Sequence, residues 1–131
     1  LGYGITSDKE LIDKMYDAGQ PWNVSVLAQN AGIAALDEDN FAADTVSLIS
    51  KEREFICTNF QRMNIKYWES GANYIFFMHK KGLKEELLNR GILIRDCSNY
   101  KNLTDGYYRI AIKSHKDNVK LIDALAGIDI N

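Results

Sequence analysis

The sequence predicts an α+β protein. The expected core is a small, mostly antiparallel three-stranded sheet in β-α-β-β-α order, covered on one face by helices. Helical segments, one of them long, precede it. Three observations predict this. Apolar residues seven apart (Ala42, Ile49, Ile56, Met63) run through a stretch of helical spacing. An aromatic, β-prone run from Ala72 to Met78 follows, a composition that suits a pleated surface. Two further short strand-like runs then alternate with helical patterns, and such a mixture packs as helices on a sheet.

Taken in order, Ser7 and Glu10 have capping-box spacing, and Leu11, Ile12 and Met15 follow at helical intervals. The spacing predicts a helix over 8–18, with Gly19 in the left-handed conformation that helix ends favour. Pro21, the only proline, breaks the chain. Asn23 is placed to cap a second helix, whose Val24, Leu27, Ala28, Ala31 and Ala35 mark one buried stripe. Asp37 to Asn40 is an acidic turn suited to the positive end of a third helix. That helix is expected over 39–63. Its heptad row, with Val46 and Phe60 beside it and Arg53 interrupting, fits one long packed helix better than a coiled coil.

Strand character then takes over. The run 72–78 reads as a strand buried on both faces. Lys80-Lys81-Gly82 turns into a short helix over 83–90 carrying Leu83, Leu87 and Leu88, and Gly91 ends it. Ile92 to Asp96 is a second strand, Ser98 to Gly106 a polar loop, and Tyr107 to Lys113 a third strand. Ser114 and Asp117 form a capping box for a last helix over 115–126, closed by Gly127. A right-handed crossover links the first two strands, and the third slots antiparallel between or beside them.

The 131 residues suit one domain with an independent core. With 16 basic against 18 acidic residues, the net charge of −2 argues against a duplex nucleic-acid partner. No run reaches about 18 consecutive apolar residues, so no membrane span is expected. There is no basic-then-apolar leader at the start, and Cys57 and Cys97 are the only cysteines. That leaves neither a disulfide framework nor a zinc ligand set, and points to a reducing, cytoplasmic setting. Leu1-Gly2-Tyr3-Gly4-Ile5 opens inside an apolar strand without an initiator Met, which suggests a piece of a longer protein.

Few residues suggest chemistry. Strand alternation puts Tyr108, Ile110 and Ile112 on one face and Arg109 on the other with Tyr107 and Ala111. Arg95 is out of phase with Ile92 and Ile94. Two arginines on a sheet face free of helices suit a carboxylate or phosphate, held by paired N–H donors. The competing reading for each is a surface ion pair. His79 and His115 are isolated and read as surface or strand-end residues, with no metal site. Cys57 reads as core, and Cys97 lacks a base that would make it a nucleophile. Gly2 and Gly4 lack the third glycine of a dinucleotide loop. Two Asn-X-Ser/Thr triplets, at Asn23 and Asn102, carry little weight without a secretion signal. No catalytic constellation is present.

Five segments together resemble the C-terminal part of the class I/II aminotransferases, pyridoxal-phosphate enzymes of fold type I. Leu1-Gly2-Tyr3-Gly4 resembles the strand after the cofactor lysine. Pro21-Trp22-Asn23-Val24-Ser25 resembles a stretch of histidinol-phosphate aminotransferases, and Ser70-Gly71-Ala72-Asn73-Tyr74 the entry to the small-domain sheet. Gly91 to Tyr100 is similar to threonine-phosphate decarboxylases of cobalamin biosynthesis. Gly106 to Ile112 resembles the strand bearing the substrate-carboxylate arginine in both groups.

The resemblance implies that Arg109 anchors the substrate α-carboxylate and that Arg95 is a second anion contact near a substrate phosphate. It gives Pro21 and Asn23 a structural role as readily as a binding one. It also implies a parent enzyme that uses pyridoxal 5′-phosphate and works as a homodimer. The Schiff-base lysine, the phosphate-binding arginine and the pyridine-pairing aspartate would lie upstream of Leu1, and none of the eleven lysines here matches the Schiff-base motif. This chain would then hold no catalytic or cofactor-binding residue of its own. Residues 1–38 would connect from a large domain, and residues 39–131 would be the small domain that closes the active site. The alternative is a free-standing module that binds amino acids without catalysis.

Overall fold

The computed structural model describes residues 2–128. The chain divides at Ala42/Ala43 into two compact units.

The first unit holds helices α1 (Lys9–Ala18) and α2 (Val26–Leu36). The cap of α1 is Asp8, not Ser7: its Oδ1 accepts from the Leu11 amide at 3.1 Å. A carboxylate at the positive helix end gains from the dipole as well as from the hydrogen bond, so it outcompetes the neighbouring hydroxyl. Gly19 is extended rather than left-handed, with φ −76° and ψ 160°. The α2 cap is Ser25, whose Oγ accepts from the Ala28 amide, so the helix begins two residues after the expected Asn23. The stripe from Val24 to Ala35 is not buried among the described residues; Leu27 is 81% exposed. Periodicity shows that a face is apolar but not what covers it.

The second unit begins in the long helix α3 (Phe41–Arg62). Only its C-terminal half is buried, through Glu52, Ile56 and Phe60. Asn64 ends it in a left-handed turn at φ 55°, with the Ile65 amide bonded to the Phe60 carbonyl and the Asn64 amide to that of Gln61. These bonds satisfy carbonyls that the last turn would otherwise orphan. The chain then enters a strand that the sequence reading missed, β1 (Lys66–Trp68), so the sheet has four strands and not three.

The remaining elements are β2 (Tyr74–Met78), α4 (Leu83–Asn89), β3 (Arg95–Asp96), β4 (Tyr107–Ala111) and α5 (His115–Ala126). The sheet order is β1-β2-β4-β3, and every neighbouring pair is antiparallel. β4 therefore slots between β2 and β3, which run parallel to each other. β3 is shorter than the expected 92–96. Gly91, at φ 76°, turns the chain out of α4 with the Ile92 amide on the Leu87 carbonyl, which keeps Ile92 out of the ladder.

β2 is buried on one face only. Ile75 and Phe77 pair across with Ile110 and Tyr108 and point into the core, while Tyr74, Phe76 and Met78 point away. Ile56 and Phe60 of α3, Leu83 and Leu87 of α4, and Leu121 and Leu125 of α5 cover that inner face. Each such buried side chain contributes about 1.5–3 kcal/mol. The buried Tyr108 hydroxyl also accepts from the Leu83 amide at 3.3 Å and donates to the Lys80 carbonyl at 3.0 Å. It thus serves the start of α4, where Gly82 offers no side-chain cap. Ser114 caps α5 as expected, its Oγ accepting from the Asp117 amide.

Candidate functional site: the uncovered face of the sheet

Pleating sends Trp68, Phe76, Tyr107, Arg109 and Arg95 to the face that α3, α4 and α5 leave uncovered. On it Trp68, Phe76 and Tyr107 cluster, with ring centroids 4.8 to 5.9 Å apart. Beside them lies an open concavity of about 730 Å³, whose lining includes Asn73, Tyr74, Lys84, Arg95, Asn99 and Arg109.

The structure brings the two sequence-predicted arginines together. Arg95 on β3 is the direct cross-strand partner of Arg109 on β4, and Phe76 flanks Arg109 on its other side. Like charges directly opposed on one sheet face repel. Among the described residues no carboxylate lies within 4.0 Å of either guanidinium, so the ion-pair reading is not met. Aromatic rings hold them instead. The Arg109 guanidinium lies 4.4 Å from the Tyr74 ring centroid, and that of Arg95 lies 5.7 Å from Tyr100. Arg95 also donates one long bond, 3.4 Å, to Asn99 Oδ1.

Backbone contacts fix the floor. Arg53, which interrupts the apolar row of α3, donates to the Ala72 carbonyl. The next carbonyl, that of Asn73, accepts from the Ile112 amide at 2.9 Å. The carboxylate at the rim, Asp96, accepts from the Ser98 amide at 2.8 Å. That bond, with a second from the Ser98 side chain, holds its carboxyl below the ordinary value, and the charges of Lys84 and Arg95 add to the effect.

Other candidates stand apart from this face. His79 follows β2 and is buried, with neither ring nitrogen partnered among the described residues; burial and then Lys80 lower its pKa. His115 is not isolated, since its Nδ1 contacts both carboxylate oxygens of the buried Glu52 at 3.1 and 3.2 Å. Cys97 is buried, and burial pushes its thiol pKa up despite the nearby Arg109 and Arg95, which is the environment of an inert cysteine. Cys57 packs against the core. Among the described residues no group of three metal-ligating side chains converges, and no helix is long and apolar enough to cross a membrane. Sequence reasoning missed Tyr74 and Lys84 as site residues. The phase of β2 could have placed Tyr74 beside Arg109, whereas Lys84 comes from α4 and no periodicity links it to the sheet.

Comparison with known proteins gives a consistent result. The family described as aminotransferase class I and II matches residues 1–125. Threonine-phosphate decarboxylase of Salmonella typhimurium is 33% identical over 98% of this chain and 36% of its own length. Histidinol-phosphate aminotransferase of Methanosphaera stadtmanae is 31% identical with the same coverage. Among solved structures, the histidinol-phosphate aminotransferase from Clostridium acetobutylicum superposes with a TM-score of 0.87 at 30% identity, covering 93% of this chain and 38% of that one. The chain thus spans little more than a third of the length of the relatives it matches.

Proposed function

The chain belongs to the class I and II aminotransferase family, and we propose that it is the C-terminal part of a pyridoxal-phosphate-dependent enzyme that binds the substrate's carboxylate and closes over the active site. In this reading residues 1–38 connect to a large domain, and residues 39–131 form the small domain. The relatives' names point to amino-phosphate chemistry of the histidinol-phosphate aminotransferase or threonine-phosphate decarboxylase kind. The whole enzyme would act as a homodimer.

One observation carries the proposal: Arg109 and Arg95 stand side by side on an uncovered sheet face, with no carboxylate among the described residues paired to either. Arg109 offers a planar fork that matches a carboxylate at two points. Arg95, at the next strand, supplies the second positive charge for a substrate that also bears a phosphate. Together they orient the substrate and favour anions carrying two charged groups.

Pyridoxal phosphate supplies an electron sink for bonds at the α-carbon of an amino acid. In the concavity the lysine is Lys84, in the first turn of α4, and the Asp96 carboxylate accepts from the Ser98 amide. Neither matches a Schiff-base motif, so in this reading the cofactor's contacts come from the rest of the enzyme.

The test is Arg109→Ala in the full-length enzyme. Loss of a charge-assisted contact of about 1.5–3 kcal/mol should weaken carboxylate-substrate affinity roughly 10- to 150-fold. Arg109→Lys should restore only part, because it lacks the planar fork. The melting temperature should change little, since the side chain leaves the core face. Unchanged affinity, or a collapse in stability, would make Arg109 a structural residue.

A further inference from the structure

We infer that Tyr74 is a positioning residue for Arg109, holding the guanidinium by its ring face so that every N–H donor stays available to a ligand. The inference rests on the reading of Arg109 as the carboxylate anchor and goes beyond it. An arginine on an open sheet face has to be ordered before it can give a fork-shaped contact. The common device is a carboxylate neighbour, but a carboxylate takes the very donors that the ligand needs. A ring acts differently. It attracts the cation through its π face and carries no carboxylate oxygen to bind the N–H donors, so a guanidinium stacked on it keeps its in-plane N–H bonds for a ligand.

The observations on this face fit that device. The Arg109 guanidinium lies 4.4 Å from the Tyr74 centroid. Among the described residues it makes no hydrogen bond and no ion pair. Its cross-strand neighbours do not hold it: the recorded cation–π contact is with Tyr74 and not with Phe76, and Arg95 repels it. Tyr74 reaches it diagonally, since Tyr74 pairs with Ala111 while Arg109 pairs with Phe76, and all four side chains share the uncovered face. Ala111, the cross-strand partner of Tyr74, carries only a methyl group on that face. The backbone just before Tyr74 is in turn fixed, since the Asn73 carbonyl accepts from the Ile112 amide and the Ala72 carbonyl from Arg53.

The experiment uses the full-length enzyme with Tyr74→Phe, Tyr74→Leu and a pentafluorophenylalanine replacement at position 74. The probe is whichever of O-phospho-L-threonine or L-glutamate the wild-type enzyme binds, and the control is inorganic phosphate, which carries no carboxylate. Tyr74→Phe keeps the ring and should leave the dissociation constant of the carboxylate probe within twofold. Tyr74→Leu and the fluorinated ring, whose quadrupole is reversed at nearly the same shape, should raise it about 2- to 30-fold. Phosphate affinity and the melting temperature should not follow. In an Arg109→Ala background the Tyr74 substitutions should add nothing, because the two residues then share one interaction. If Arg109→Ala weakens the probe while Tyr74→Leu and the fluorinated ring do not, the positioning role is overturned and the anchor stands. If Arg109→Ala has no effect, the anchor reading itself fails. Should the leucine variant not fold, the fluorinated ring alone decides.

Discussion

Replacing Gly106 by alanine should be the most costly single-methyl addition to this sheet. Gly106 precedes β4, the strand that bears Arg109, and its φ of +92° is one that L-residues rarely adopt. That conformation alone costs an alanine about 1–2 kcal/mol. Geometry adds a second penalty. A Cβ built there would lie 2.8 Å from the carbonyl oxygen of His79. That oxygen cannot retreat cheaply, because the His79 amide is itself bonded to the Gly106 carbonyl at 2.9 Å, where β2 and β4 meet. Overpacking of this kind costs a further 1–3 kcal/mol or so. The expected loss is therefore about 2–5 kcal/mol, against a total stability on the order of 5–15 kcal/mol for a domain. Two controls separate the contributions. Gly91 also has positive φ, +76°, but nothing lies within 4 Å of its built Cβ, so Gly91→Ala should lose only the conformational part. Gly71 has neither feature, so Gly71→Ala should be neutral or gain up to about 1 kcal/mol through the unfolded chain. Urea unfolding followed by circular dichroism gives the three midpoints, and equal slopes license the comparison. A Gly106→Ala midpoint no lower than that of Gly91→Ala would refute the steric part of the argument.

Two other outcomes are expected. Burial by itself would raise the Glu52 carboxyl, but the hydrogen bonds from Asn118 and His115, with the charges of His115 and Lys51, outweigh it and hold the pKa below the ordinary value. The stability it contributes is then present above the unfolded-state pKa and lost as pH falls through the lower native one, so Glu52→Gln should shrink the difference in urea midpoint between pH 7 and pH 3, and an unchanged difference would rule out the coupling. The chain by itself should bind no pyridoxal phosphate covalently, and a stoichiometric absorbance band abolished by mutating one of its lysines would overturn that expectation.

What could be read from the sequence was whatever depends on period and on near neighbours. Alternation put Arg109 and Ile110 on opposite faces of β4, and the register places them there. Gly91 and the Ser114 cap punctuate their helices as expected, because both act on amides a few residues away. Ser7 and Asn23 failed as caps for a related reason: a better oxygen stood one or two residues on, and spacing rules tolerate either choice. β1 was missed because Lys66–Trp68 is three residues long and follows a helix directly. Its signal was the alternation of Ile65 and Tyr67 with Lys66 and Trp68, too brief to outweigh the helix before it. The Glu52 cluster was illegible for a different reason. Its partners His115 and Asn118 stand 63 and 66 positions later, and only the packing of α5 against α3 brings them together.

The two faces of the sheet obey different rules. On the covered face the cross-strand pairs agree with the fold: β-branched and aromatic residues pair across strands, and Asn118 satisfies both the amide and the carbonyl of Lys113 while reaching Glu52. On the uncovered face one preference is broken, because Arg95 and Arg109 are direct cross-strand partners. Like charges in that position cost stability, and no carboxylate among the described residues offsets them. Natural proteins break local rules chiefly where function requires it. A dianionic ligand lying across β3 and β4 would turn that repulsion into attraction, since each guanidinium would gain a partner and the pair would lose its unscreened neighbour. The arrangement also explains the rings of Tyr74 and Tyr100. They lower the cost of holding two cations together without neutralising either, which a carboxylate would do. A sheet built for stability alone would place a glutamate or a threonine at one of these two positions.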